Sequence, residues 1–222
     1  MCQFTNTLII TESNGVYLEA AWLETLIMHN KLLNYFSRLG KLTQQESDAI
    51  AETMVIRTYK KGAVLLREGQ ISREAYFVLD GCVRQYFLVN GEERTINFFG
   101  EEQWVVSITS FTNNLPSTHF VGCCTEATLV VGNKEREEDL YRRFQNLETI
   151  SRKVMVQVFA EQQEVMASYY TDTPEQRYLK LLHSRPELFQ TIPQYQLASY
   201  VGVKPESLSR IRKRILQNTR SL

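Results

Sequence analysis

The sequence predicts an α+β fold. An N-terminal antiparallel β-roll of jelly-roll type with flanking helices is followed by one long helix and a C-terminal helix-turn-helix domain of winged-helix type. Three observations carry this prediction. From Met54 to Asn133, short runs rich in Val, Ile, Tyr, Phe and Thr alternate with glycine. From about Glu135 the apolar spacing changes to the three- and four-residue steps of a helix. The stretch Ile192–Ile215, IPQYQLASYVGVKPESLSRIRKRI, then places a glycine and a proline where two helices would meet at a corner.

Taken in order, residues 1–16 show no clear periodicity, and Leu8-Ile9-Ile10 suits a short strand or an arm. Leu18–Asn30 and Leu32–Leu39 read as helices. Thr43 followed by Glu46 is a capping box that opens a helix running to about Thr53. Strand-like runs follow at 54–59, 63–67, 75–80, 83–89, 94–99, 103–108, 119–124 and 127–131, with Gly62, Gly69, Gly81, Gly91 and Gly100 between or at the ends of those up to Phe99. Asn90-Gly91 between two such runs is a type I′ hairpin signal. Many short strands at this spacing predict a jelly roll or antiparallel barrel.

A helix is expected over about 140–168. Leu147, Ile150, Val154, Val158 and Val165 form one apolar stripe, with Met155, Phe159 and Met166 beside it. Two apolar faces need two surfaces to cover them. One is the roll; the other is the same helix of a second subunit, and the Leu147 stripe is assigned to that dimer interface. A helix buried between the chain's own two domains is the alternative. Tyr169–Asp172 reads as a break, and Thr173-Pro174-Glu175-Gln176 as a new helix start. The expected organisation is therefore an arm and helix over 1–31, a roll over 32–139, a dimerisation helix over 140–170 and a helix-turn-helix domain over 171–222.

The chain carries 25 Lys+Arg and 25 Asp+Glu and is formally neutral. The charge is not evenly spread, for Ile192–Leu222 holds six Lys/Arg against the single acid Glu206. Such clustering is a local electrostatic footprint for a polyanion. Leu208, Ile211 and Ile215 fall on one face of the second helix and would pack inward. Glu206, Ser209, Arg210, Lys213 and Arg214 fall on the other, as on a helix that enters the major groove of duplex DNA. A surface helix with solvated arginines is the plainer explanation, but it does not account for Gly202 and Pro205.

Other classes are disfavoured. Hydrophobic content of 43% supports a real core. No apolar run approaches the ~20 residues of a membrane span, and the N-terminus has no signal-peptide pattern, so a cytoplasmic protein with no membrane partner is expected. Cys2, Cys82, Cys123 and Cys124 match no zinc or iron–sulfur spacing and read as reduced thiols. A metal enzyme built on a β-roll needs several converging His and carboxylates. The three His are scattered and only His119 falls in the roll, so neither an enzyme nor a metal site is expected.

Helices, a glycine-punctuated roll, a long helix and a terminal helix-turn-helix, in this order over residues 32–216, resemble the Crp/Fnr family of bacterial transcription regulators. The match rests on Ile192–Ile215 and on Lys61-Gly62, Leu65, Gly69 and Ala75–Gly81 in the roll. The resemblance implies a homodimeric, sequence-specific regulator that binds double-stranded DNA at a pseudo-palindromic site, with RNA polymerase as a further partner. Glu206 and Ser209-Arg210 stand where the Fnr branch reads its half-site, which implies a TTGA-type core. Arg can donate two hydrogen bonds to guanine, and Glu can accept from cytosine. Pro205 stands where the cAMP-receptor branch has an additional Arg. Lys204 occupies the N-cap and is expected on phosphate. The implied DNA-binding set is Lys204, Glu206, Ser207, Ser209, Arg210, Arg212, Lys213 and Arg214.

The implied effector pocket is degenerate. Val106-Ser107 replaces the Gly-Glu pair that holds ribose in cyclic-nucleotide binders, and Ser117-Thr118 replaces the Arg-Ser pair that holds the cyclic phosphate. Without that Arg a buried phosphate loses a charge-assisted bidentate contact, so cAMP is not expected to bind. Trp104, Phe111 and Phe120 are expected to help fill the space, with a different, less charged ligand as the alternative. The iron–sulfur cysteine cluster of the Fnr branch is missing. Haem is not expected through His29, His119 or His183, so the expectation is no cofactor. A ligand-binding module of the same fold that acts on a protein partner is the alternative, against which the basic helix weighs.

Overall fold

The computed structural model describes residue 28 and residues 30–220. The expectations for residues 1–27, including Cys2, and for His29 lie outside the described residues. A first helix, α1 (30–39), leads to α2 (Gln44–Thr53). The α2 capping box is formed: Thr43 Oγ1 accepts from the Glu46 N–H, and the Glu46 carboxylate accepts from the Thr43 N–H at 2.8 Å. Hydrogen bonds from Thr43 and Asn146 hold the Glu46 carboxyl below its usual pKa, against the effect of its burial.

Eight strands follow: β1 (Ile56–Tyr59), β2 (Val64–Leu66), β3 (Glu74–Asp80), β4 (Val83–Val89), β5 (Glu92–Phe99), β6 (Trp104–Val105), β7 (Phe120–Cys123) and β8 (Ala127–Asn133). They form two four-stranded antiparallel sheets, β1-β8-β3-β6 and β2-β7-β4-β5. The Asn90-Gly91 turn has φ of 53° and 81°, as a type I′ hairpin requires. Leu66, Tyr76, Val78, Val83, Phe99, Val105, Val121, Leu129 and Val131 fill the space between the sheets.

The helices of the C-terminal half are α4 (Lys134–Arg143), α5 (Gln145–Thr171), α6 (Pro174–Ser184), α7 (Leu188–Thr191), α8 (Gln194–Val201) and α9 (Pro205–Arg220); α3 (Ile108–Asn113) lies within the roll. Helices α1, α2, α4 and α5 cover the outer face of the first sheet around Phe77, Leu79 and Val130. Helices α6 to α9 form a second core with Cys82, Phe98 and Cys124 from the roll. No helix among the described residues is long and apolar enough to cross a membrane.

The structure departs from expectation in four places. The run 103–108 is a strand only at Trp104–Val105, and the chain then coils into α3, which ends on Asn114 at φ 53°. The helical region from Glu135 is two helices, because Phe144 takes an extended conformation between α4 and α5. The turn around Pro186 includes the short helix α7. No strand follows β8 among the described residues, so the wing of a winged-helix domain is not seen there.

Gly81 joins β3 to β4 at φ +85°, and a Cβ there would lie 2.2 Å from the Glu126 carbonyl oxygen. Gly62 has a similar φ of +82° with nothing within 4 Å. The two glycines separate backbone strain from collision. Gly62→Ala is expected to cost about 1–2 kcal/mol from the left-handed backbone alone. Gly81→Ala should cost at least about 2 kcal/mol more, since a backbone carbonyl must move. Urea unfolding of both variants measures the difference.

Candidate nucleic-acid interface and effector pocket

The corner between α8 and α9 is set by Gly202 at φ 81°, whose N–H bonds the carbonyls of Ala198 and Ser199. The Val203 N–H returns to the Ala198 carbonyl at 2.9 Å, so the last carbonyls of α8 are satisfied. Pro205 then starts α9. Leu208 and Ile211 are buried and Ile215 packs beside them. Lys204, Glu206, Ser209, Arg210, Arg212, Lys213 and Arg214 are all exposed, and Ser207 is half-buried.

These side chains are not equally available. Arg210 donates to Ser207 Oγ at 3.0 Å, one turn back along the same face. Gln194, in the first turn of α8, donates to Ser209 Oγ at 2.7 Å. Arg214 is paired with Glu175 of α6 and ties α9 into its own domain. Gln194 was not singled out from the sequence. It carries no charge, and only the corner brings it beside Ser209.

Two arginines and a serine fix this unit to the rest of the chain. Arg177 of α6 donates to the carbonyls of Tyr169 and Asp172 at the end of α5, and to the Val201 carbonyl at the end of α8. Asp172, in the bend, accepts from Ser168 and Lys180, which hold its carboxyl below the usual range. Ser199 of α8 reaches the free edge of β5: its Oγ accepts from the Thr95 N–H at 2.8 Å and donates to the Glu93 carbonyl at 2.9 Å. Arg185 donates to the Phe98 carbonyl at 2.7 Å and to the Gln103 side chain.

The positions aligned with a cyclic-nucleotide site are occupied with their own fold. Ser117 is buried, and its Oγ donates to the His119 carbonyl at 2.9 Å. Its backbone closes a loop with Gly69 and Gln70. Ser107 is buried at the start of α3, while Thr118 is exposed. Ser110, not foreseen, is fully buried and accepts from the Ser72 N–H. Val106 lines a cavity with α4 and α5.

The aromatic filling expected here is not observed. Trp104 packs against Phe36 and Phe77 in the core under the helices, because it is out of phase with the inward-facing Val105. Phe120 stacks on Tyr86, and Phe111 also lines the cavity with α4 and α5. Arg84 is buried but engaged, with Glu93 at 2.6 Å, Thr95 at 3.2 Å and the Tyr86 ring 3.9 Å from its guanidinium carbon.

His119 packs edge-on against Phe87; burial lowers its pKa, and its Nε2 has no partner among the described residues. His183 is exposed on α6. No group of three or more His, Cys, Asp or Glu among the described residues could hold a metal.

The stripe assigned to a dimer interface requires correction. Leu147, Ile150, Val154 and Val158 are buried in the chain's own core against Phe77, Leu79 and Val130, and Val165 is half-buried. The opposite side of α5 is the open one. Val156, Phe159, Met166 and Tyr170 are 65, 60, 53 and 82% exposed.

Residues 56–144 match the family model of the cyclic nucleotide-binding domain. Among solved structures, FixK2 from Bradyrhizobium japonicum is similar with a TM-score of 0.61 and 13% identity, over 75% of this chain and 86% of that one. The c-di-GMP-responsive global regulator CLP of Xanthomonas campestris is similar with a TM-score of 0.58 and 16% identity, over 80% and 93%. A candidate cyclic nucleotide binding protein of Ruegeria pomeroyi gives 0.54 and 21%, over 89% and 88%. These likenesses show a shared fold. No curated protein matches significantly.

Ser199 satisfies two groups on the β5 edge at once. Ser199→Ala is expected to lower unfolding free energy by about 1–3 kcal/mol, the cost of leaving buried backbone groups without partners. Equilibrium denaturation monitored by circular dichroism checks this, and an unchanged midpoint would show that water replaces the hydroxyl without loss.

Proposed function

We propose that the chain is a sequence-specific DNA-binding transcriptional regulator of Crp/Fnr type that acts as a homodimer and catalyses no reaction. The observation that carries this reading is the division of α9. Leu208 and Ile211 are packed, whereas Glu206, Arg210, Arg212 and Lys213 are open to solvent on a helix held at a glycine corner. A convex helix of this kind fits the major groove, with Arg210 placed to read guanine and Lys204 and Lys213 placed to hold phosphate.

The dimer reading moves to the outer side of α5. Val156, Phe159, Met166 and Tyr170, with Gln163 between, step by three and four residues, as in a coiled-coil seam. A two-fold axis along that seam presents two copies of α9, so the site is pseudo-palindromic with half-sites about 34 Å apart. RNA polymerase is the partner such a regulator would engage.

The same reading holds that the roll does not take cAMP. Ser117 and Ser110 are already spent on backbone groups, and Arg84 is engaged with Glu93 on β5. A permanent anion would meet no free buried cation at the matching positions.

Selection from random duplexes should enrich a pseudo-palindrome, and enrichment of no motif would overturn the regulator. Arg210→Ala should lose about 1–3 kcal/mol of discrimination at one guanine in each half-site. Lys213→Ala should weaken all sequences alike and flatten the salt dependence. Light scattering should show a dimer at micromolar concentration that Phe159→Glu with Met166→Glu converts to a monomer. Calorimetric titration with cAMP should give no saturable heat, and a dissociation constant in the low micromolar range or below would overturn that part.

A further inference from the structure

A cavity of about 140 Å³ lies between the outer face of the first sheet and helices α1, α2, α4 and α5, outside the roll interior. Leu32, Ile50, Val130, Ile150 and Val154 make its walls apolar. An engineered apolar cavity of about 150 Å³ stays dry and takes up benzene, so this one has room for a single ring or a short branched chain. It is not wholly apolar. Arg136 of α4 lines it, half-buried, and the guanidinium has no ion-pair or hydrogen-bond partner among the described residues. The other half-buried arginines among the described residues, Arg177 and Arg185, are engaged, as is the buried Arg84. A half-buried guanidinium beside an apolar cavity is a place for an anion carried on an apolar body.

We infer that this cavity binds a small apolar carboxylic acid, its ring or chain among Leu32, Ile50, Ile150 and Val154 and its carboxylate on Arg136. Of the neighbouring polar groups, only Glu137 opposes this, and weakly. Tyr141 donates to Ser151 Oγ at 2.7 Å, so that pair is already satisfied. Glu137 lies against Gly132, where a Cβ would come within 2.9 Å of its Oε1. Burial and the adjacent Glu138 push the Glu137 carboxyl up to about 7, which lessens the charge it sets against an incoming acid near neutrality. The site is independent of the DNA reading, since none of its residues lies on α8 or α9.

The test uses the full chain with benzoate as probe, toluene as the body without the charge, and acetate as the charge without the body. Benzoate should bind saturably by calorimetry and raise the melting temperature, acetate should do neither, and toluene should bind at least tenfold more weakly than benzoate. Arg136→Met should weaken benzoate at least tenfold and leave toluene unchanged. Val154→Phe should abolish both by filling the cavity. Leu140→Phe, at the partly exposed rim, does the same with less risk to the core, and either loss supports the site provided the variant melts cooperatively. The inference is overturned if benzoate gives no saturable binding, if its binding survives both filling variants, or if Arg136→Met leaves it unchanged. DNA affinity measured on the same samples reports separately on the regulator.

Discussion

The closure of the β5 edge is the contact on which the rest of the molecule depends. β5 is the last strand of its sheet, and its outward carbonyls and amides have no neighbouring strand. Ser199 takes Thr95 and Glu93, and Arg185 takes Phe98. Beneath these bonds, Cys82, Phe98 and Cys124 join Tyr178, Leu197 and Leu208 in one core. The α6–α9 unit is therefore built into the roll and not merely tethered to it. Arg177 adds the third side of the frame by tying the end of α5 to the end of α8. The direction in which α9 faces is thus set by the roll and by α5 together, and a displacement in either would be felt at the basic helix.

Much of this was legible in the sequence, for identifiable reasons. Each of the eight strand runs contains a strand because alternation and glycine punctuation are local signals. The two capping boxes are formed because an N-cap and its third residue meet whatever surrounds them. Gly202 adopts a positive φ because the corner needs it. What was not legible depends on partners far along the chain. The stripes on α5 could be found, but not which of them the roll would take: Leu147, Ile150, Val154 and Val158 went inward, and the open side passed to Val156, Phe159, Met166 and Tyr170. Trp104 was misplaced because a two-residue strand leaves no alternation to read. Arg136 has no meaning in the sequence until α4 sets it beside the cavity.

Several buried polar groups of the roll are satisfied within the chain itself. Ser117 closes on His119, Ser110 on Ser72, and Arg84 on Glu93 and Thr95. Each satisfies a buried group that would otherwise be costly. Tyr76, pushed up by burial and by Glu74, stays a neutral phenol hydrogen-bonded to that carboxylate. These buried groups are thereby held by the chain's own contacts.

The covered edge of β5 also bears on solubility. A strand whose outward groups are free is a template on which a second molecule can add its own strand, and proteins generally blunt such edges with charge, proline or a covering element. Here the cover is the α6–α9 unit itself. Any state in which that unit lifted away would expose the row Glu93, Thr95 and Phe98 together with the apolar surface around Phe98. The same contact that orients α9 therefore also shields an edge on which neighbouring copies could pair strand to strand.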